Sequence, residues 1–305
     1  MANTYGKVAG TFQEATEIYG KVSGTWEEID EAYAKVSGVW EEVFIAFRAT
    51  SFVTVSATST TNVVPQGANA VHIQAAVGGG GGGLRGVDYD KAGGESAGSG
   101  GGSGAYISDK IFSVTEGETL TLTAGTAGVQ NSGGYSNSGG SNGGTTTLSG
   151  TTTGSIFTLT GGTLATITSN GGVQGPLRQN TNGVAGSATL TGAVITSGTF
   201  KDSVGVTQNV TSNTSGPVGT FNQSGNGANG VFRNNCGGDN CGIQGGAGGA
   251  SFAGNIAGGT GQNPGVVNGT RGSGGGGGSS NAGGGPAASN GGAGQIIYRF
   301  LRVNP

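Results

Sequence analysis

Histidine occurs once in the 305 residues, cysteine twice and methionine once. A metal centre or a nucleophile–base triad needs several such groups to converge, so the raw material for catalysis is thin. Charge is thin too: Asp, Glu, Lys and Arg make up 10% of the chain, where about 25% is usual. A net charge of −3 and a pI near 5.1 leave no basic footprint for nucleic acid. No apolar run approaches the ~20 residues of a membrane-spanning helix. The opening MANTYGKVAGTFQEATEIYG has neither the basic start nor the apolar stretch of a secretory signal. Collagen fails as well, because there are 6 prolines and glycine is not at every third position. These absences point away from an enzyme and towards a structural or binding protein using no cofactor and no metal.

What is abundant is glycine, 71 of 305 residues, about three times ordinary usage. Charge, by contrast, is concentrated at the start: residues 1–48 hold 8 of the 16 acids and 4 of the 13 bases. After Arg48 the chain turns to Gly, Ser, Thr, Asn and Ala. The shift marks a first module over 1–48, followed by opening β-strands over 49–125 and a glycine-rich body over 126–305 closed by a last strand.

Residues 5–48 repeat with a period of 14. Tyr5, Tyr19, Tyr33 and Phe47 are in register, as are Val8, Val22 and Val36, and Phe12, Trp26 and Trp40; Lys7, Lys21 and Lys35 recur likewise. A unit so short cannot fold alone and needs neighbours or partner chains. The apolar positions fit the seam of a coiled coil. They also fit hairpins in which each Ser/Ala-Gly pair is a two-residue turn. Glycine inside a helix costs about 1 kcal/mol relative to Ala, and a helix has no reason to repeat that cost in phase. The spacing therefore favours a β-meander, with Lys35 across from Trp40 and Val36 across from Val39. These aromatic and Val positions are the expected packing and assembly residues.

Beyond Ser51 the pattern is strand and turn. Phe52, Val53 and Val55 open it, and Val63–Gly67 makes a turn. Ala70–Val77 alternates, with Val71, Ile73, Ala75 and Val77 on one face and His72 and Gln74 on the polar face. Ile111–Leu122 reads as a hairpin about Glu116-Gly117-Glu118, and Ile156–Ile167 as another about Gly161-Gly162. Gln295–Val303 is the last strand. Between them lie glycine runs such as Gly78–Gly83, Gly98–Gly104 and Gly274–Gly278. Flexible linker is the ordinary reading, but these runs are insertions between strands of one fold. Without Cβ atoms, glycine segments in a three-residue helix can pack side by side through backbone hydrogen bonds.

Val64-Pro65-Gln66-Gly67-Ala68, Val71-His72-Ile73 running into a glycine block, and the closing Gly291-Gly292-Ala293-Gly294-Gln295-Ile296-Ile297-Tyr298 resemble the glycine-rich domain of bacteriophage tail fibres and tail adhesins. The 14-residue repeats look like short virion-docking repeats. The resemblance implies a small β-sandwich carrying stacked polyglycine helices, with loops that contact a bacterial surface receptor, an outer-membrane protein or polysaccharide. It implies a homo-oligomer, typically a trimer, placed in the virion tail and joined to other virion proteins through residues 1–48. The fold class expected is therefore all-β, a sandwich with polyglycine II-like insertions after a repeat meander. Neither nucleic acid nor membrane insertion is expected.

Candidate receptor contacts are Tyr89, Tyr106, Tyr135, Phe200, Phe221, Phe232, Arg233 and Phe252, aromatic and basic groups suited to rigid loops. Cys236 and Cys241 could close a tight disulfide loop or remain free thiols. His72 is expected to be solvated or satisfied. A polysaccharide-cleaving reading would need two carboxylates at catalytic spacing, with only Asp88/Asp90 or Glu116/Glu118 close in sequence.

Overall fold

The computed structural model describes residues 5–8, 11–14, 19–29, 31–36, 38–45, 47–56, 58–84, 99–131, 139–167, 180–210, 218–219, 261–262, 265–266 and 288–304. In chain order the first strands are β1 (Tyr5–Val8), β2 (Thr11–Glu14), β3 (Tyr19–Val22), β4 (Thr25–Glu28), β5 (Glu31–Val36) and β6 (Val39–Ile45). Next come β7 (Val53–Ser56), β8 (Ser59–Val63), β9 (Ala70–Val77), β10 (Tyr106–Ser113), β11 (Thr119–Thr123), β12 (Thr146–Gly150) and β13 (Gly154–Leu159). The rest are β14 (Thr166–Ile167), β15 (Asn180–Thr181), β16 (Ala188–Leu190), β17 (Thr199–Lys201), β18 (Thr207–Asn209), β19 (Val218–Gly219), β20 (Gly261–Gln262), β21 (Gly265–Val266) and β22 (Gln295–Leu301). The described residues contain no helix: the fold is all-β with antiparallel sheets.

The repeats form hairpins β1–β2, β3–β4 and β5–β6, each a two-stranded sheet of its own among the described residues rather than one continuous meander. Every hairpin keeps the same pairing. Lys7 faces Phe12, Lys21 faces Trp26 and Lys35 faces Trp40, while Tyr5, Tyr19 and Tyr33 face Glu14, Glu28 and Glu42. Ser23 and Gly24 turn with φ of 49° and 93°, the paired left-handed conformation that matches strand twist in a tight hairpin.

Two five-stranded sheets make the sandwich. Sheet I has the order β19-β10-β9-β22-β7, and sheet II the order β16-β13-β12-β11-β8. Alternation drives their packing: Leu120 and Leu122 in β11, and Ile296, Tyr298 and Phe300 in β22, are buried at every second position. Phe112 of sheet I meets Phe157 of sheet II at 6.1 Å between ring centroids. The buried Tyr298 hydroxyl accepts a hydrogen bond from Asn62 Nδ2 at 2.8 Å, which satisfies its polar end. Phe47 packs against this core, so the last repeat position belongs physically to the sandwich. A second, smaller core covers the outer face of sheet I, where Ala49, Phe200, Val210 and Val303 meet Ala70, Ile111 and Leu301.

Two expected hairpins are corrected. β10 and β11 flank the Glu116-Gly117 turn but lie in different sheets, and β13 pairs with β12 and β16 rather than with residues after Gly162. At Glu116-Gly117 a chain crossing between sheets uses the same turn residues as a hairpin, so local sequence does not separate them; Gly161-Gly162 makes no turn and lies in the glycine segment that follows β13. Glu118 fastens this end of the sandwich. Its carboxylate accepts hydrogen bonds from the amides of Thr115, Thr152 and Thr153 and from the Thr153 hydroxyl. Burial pushes its pKa up, but these donors outweigh burial and hold it below the usual carboxylate value.

At the opposite end the strands run on into glycine-rich segments. Residues 78–84 leave β9 and 99–105 enter β10; 125–131 leave β11 and 139–144 lead to β12; 160–165 leave β13, 183–187 enter β16 and 288–294 enter β22. The hydrogen bonds of segment 78–84 repeat every third residue. The amides of Gly78, Gly81 and Leu84 donate to the carbonyls of Ala105, Gly102 and Ser99. Gly79 and Gly82 donate to Gly144 and Ser141, and Gly80 and Gly83 to Gly292 and Ser289. In return the carbonyls of Gly79 and Gly82 accept from Gly162 and Ala165, and those of Gly80 and Gly83 from Gly128 and Asn131. One segment thus bonds to five neighbours.

Glycine is required for that spacing. A Cβ on Gly79 would collide with the Thr126 carbonyl, one on Gly81 with the Thr163 carbonyl and one on Gly82 with the Val129 carbonyl. At the periphery the same three-residue rhythm admits side chains. Thr126 and Val129 are exposed while Gly125 and Gly128 are buried, and Val184 and Ser187 are exposed while Gly183 and Gly186 are buried. Peripheral amides are capped by side chains: Gln130 N–H by Asn290 Oδ1, Leu164 N–H by Asn142 Oδ1 and Val184 N–H by Thr163 Oγ1. Buried backbone donors need such partners.

Candidate functional site

The expected contact residues separate into two groups. Tyr89, Tyr135, Phe221, Phe232, Arg233 and Phe252, with Cys236, Cys241, Asp88 and Asp90, lie outside the described residues. By sequence they fall in the stretches 85–98, 132–138 and 211–287, which the chain enters and leaves between segments of the glycine bundle or beyond β18. Tyr106 and Phe200 are built into the sandwich. Tyr106 starts β10 half-buried, paired with Val77 and Gly219, and burial raises its hydroxyl pKa. Phe200 is 8% exposed within the second core; the expectation of an exposed aromatic is corrected, because residues 47–50 and 301–303, remote in sequence, cover that face.

Of the assembly positions, Tyr19 is 52% exposed; the repeat lysines Lys21 and Lys35, outside that set, are exposed as well. The preserved register pairs Tyr with Glu and Lys with an aromatic residue in each hairpin, three times over.

The densest constellation of functional side chains sits on the outer face of sheet I, where the alternation of β9 by itself indicates only a polar strand face. His72 is buried rather than solvated, 8% exposed. Arg299, its register neighbour on β22, donates from Nε to His72 Nδ1 at 3.3 Å. The guanidinium lies 4.5 Å from the Phe52 ring centroid and 5.4 Å from that of Phe200, and Phe52 meets the imidazole edge-on at 5.5 Å. Asp109 Oδ1 stands 3.5 Å from His72 Nε2. Burial, then the Arg299 charge, lower the His72 pKa to about 4 against the opposing pull of Asp109. Asp202 sits beyond Arg299; its carboxylate accepts from the amides of Val204 and Val206 and from Gln208 Nε2, which hold its pKa low, Val206 foremost.

The alternation expected along β9 breaks in this region. β10 keeps its register on β9 through Asp109 and Gln74, but β22 shifts register against β9 between Ile297 and Tyr298. Asp109 has φ of 45°, uncommon for a residue with a side chain. Neither feature has a turn-type signature in the sequence.

The cluster sets the His72 imidazole beside the Asp109 carboxylate; elsewhere Glu118 spends its oxygens on turn donors, and Glu116 Oε2 accepts from Gly67 N–H. Among the described residues no three His, Cys, Asp or Glu side chains gather to hold a metal. A groove of about 490 Å³ opens between the edge strands β7 and β8, lined by Val53, Val55, Thr58, Thr60, Asn62 and Tyr298, uncharged throughout. A family described as a glycine-rich domain matches residues 54–301. No curated protein matches the chain in sequence.

Proposed function

Because the chain belongs to the glycine-rich domain family over residues 54–301, we propose that it is a non-enzymatic bacteriophage virion protein of tail-fibre or tail-tip type. In this reading the glycine-rich domain carries contacts for a bacterial surface receptor, an outer-membrane protein or polysaccharide. Residues 1–48 join it to other virion proteins, and copies of the chain associate, as trimers in the resembling proteins.

The observation that carries the reading is the bonding of segment 78–84, whose seven amides reach three neighbours in rotation. That rhythm is what polyglycine II-type packing requires, and it supplies a stiff mount for the stretches that hold Tyr89, Tyr135 and Phe232. Recognition residues do best on loops held by a rigid scaffold. The shared hairpin register over 5–45 supports the docking role of the repeats, since one pairing presented three times suits a repeated partner surface.

Deleting residues 1–48 is expected to remove the protein from purified particles, measured by immunoblot, and a tag after Pro305 is expected to label the tail in micrographs. Tyr89→Ala, Tyr135→Ala and Phe232→Ala are expected to lower adsorption to host cells about tenfold between them with particle incorporation intact. Label on the head together with unchanged adsorption would instead make this a head fibre or capsid-decorating protein.

A further inference from the structure

We propose that residues 272–278 complete the glycine bundle, seating as a sixth neighbour of segment 78–84 and running parallel to it, so that 279–287 crosses the bundle's far end. These residues lie outside the described ones, and the inference rests on the surface that the described segments leave for them. It does not depend on the phage reading above.

The five neighbours of 78–84 form an open ring. Segment 99–105 bonds to 160–165 through the amides of Gly102 and Ala105, and 160–165 accepts in turn from Gly143 of 139–144. The ring continues to 125–131 through the amides of Ser141 and Gly144, and to 288–294 through those of Gly291 and Gly294. Among the described residues no backbone bond joins 288–294 to 99–105. A chain with three residues per turn aims its amides in three directions and its carbonyls in three more, so a central segment has room for six neighbours.

The unused direction is that of Gly78 and Gly81. Both residues are buried. Their carbonyls accept from no amide among the described residues, whereas those of Gly79, Gly80, Gly82 and Gly83 all do. A Cβ on Gly101 or on Gly291 would meet the Gly81 oxygen, which places that oxygen between 99–105 and 288–294, at the opening in the ring. On the flanking segment 99–105, Ser99 and Ser103 are 1% and 0% exposed, and their hydroxyls have no partner among the described residues. Buried polar groups are rarely left in that state.

Chain direction selects the occupant. The amides of 78–84 donate to 99–105, 139–144 and 288–294, which all run towards the sandwich. Its carbonyls accept from 125–131 and 160–165, which run away from the sandwich as 78–84 does. The remaining carbonyls therefore suit another segment running away. Three of the segments that run inwards, 99–105, 139–144 and 183–187, each follow one that runs outwards, across the connections 85–98, 132–138 and 166–182. Segment 288–294 is the one whose outward partner is missing among the described residues. A connection of similar length before Ala288 leads back to Gly272-Ser273 and the unbroken run Gly274–Gly278. That run has no Cβ atoms to collide with three flanking backbones, as in 78–83. The other long glycine-rich run, Gly245–Gly249, lies further back in the chain, before β20 and β21.

Nuclear magnetic resonance on the full-length, isotopically labelled protein tests the seating. The amides of 272–278 are expected to exchange as slowly as those of 78–84, and couplings across hydrogen bonds to link them to the carbonyls of Gly78 and Gly81. Gly275→Val is expected to remove those couplings and to lower the melting temperature by about 5 °C or more. Gly246→Val is expected to leave the couplings in place. The proposal is overturned if 272–278 exchanges at random-coil rates while 78–84 stays protected, or if Gly275→Val alters neither quantity. Couplings that reach Gly78 and Gly81 from residues 245–249 would overturn it in favour of that run. Couplings between nitrogen-labelled and carbon-labelled chains in a mixed sample would overturn it in favour of a second copy.

Discussion

His72 shows how far a single residue's role depends on its surroundings. Its strand is legible from the alternation of Ala70–Val77, but its burial is not. The cover comes from Phe52 and Arg299, with Phe200 stacked against the guanidinium beyond, and none of these is a sequence neighbour. Phe200 misleads for the same reason, since an aromatic in a Ser/Thr/Gly stretch looks like a loop residue until its distant partners are known. The burial of His72 has a consequence for acid stability. Its folded pKa of about 4 lies below the ordinary 6.5, so between these values the unfolded chain binds a proton that the folded one refuses. The stabilisation is complete above about pH 6.5 and is lost as pH falls towards 4, at up to about 1.4 kcal/mol per pH unit. Chemical denaturation at steps across that window is expected to show the slope in the parent protein and a flatter dependence in His72→Gln. An equal slope in both would mean that the charged imidazole is tolerated beside Arg299.

At the scale of elements, features set by local spacing are legible in the sequence. The two-residue turns and the Lys35–Trp40 and Val36–Val39 pairs follow from repeat spacing, because turn length fixes hairpin register. The turn at Glu116-Gly117 is visible too, but not what it joins, since pairing across two sheets is decided by distant strands; Gly161-Gly162 reads as a turn but lies in the glycine segment 160–165, bonded to neighbouring segments. The glycine segments fall between these cases. Their capacity to pack can be argued from missing Cβ atoms, whereas the five partners of 78–84 cannot. Glycines in the two settings should differ in their sensitivity to substitution. Gly24, at φ 93° with nothing within 4 Å of an added methyl, resists Ala through backbone strain alone, about 1 kcal/mol. Gly81 has no such strain, but an added methyl meets the backbone of Thr163 and Gly162, which cannot yield without breaking the bonds of adjoining segments. Gly81→Ala is expected to cost about 3 kcal/mol or more in denaturant unfolding of the sandwich, and Gly24→Ala to leave that transition in place. Similar small losses at both positions would mean that the bundle has slack.

For the whole molecule the decisive balance is between glycine's freedom and the bonds that remove it. Fixing each backbone residue costs about 1–2 kcal/mol, and a typical hydrogen bond returns a net of about 1 kcal/mol. A lone glycine segment docked on a protein would therefore stay loose. Segment 78–84 escapes that outcome because every one of its seven amides is bonded and its residues are buried, with carbonyls accepting from two further neighbours. The ordering cost is shared, since each segment that becomes fixed presents a ready template to the next. Such an arrangement should open only as a unit, together with the strands that continue into it. Native-state hydrogen exchange is expected to give the amides of 78–84 protection equal to that of β9. The side-chain-capped amides of Val184 and Ser187, at the periphery, should exchange faster. Random-coil exchange throughout 78–84 would leave the sandwich intact but remove the stiff mount. Anything carried at the far ends of the segments would then be tethered rather than aimed, and the chain would act as a spacer.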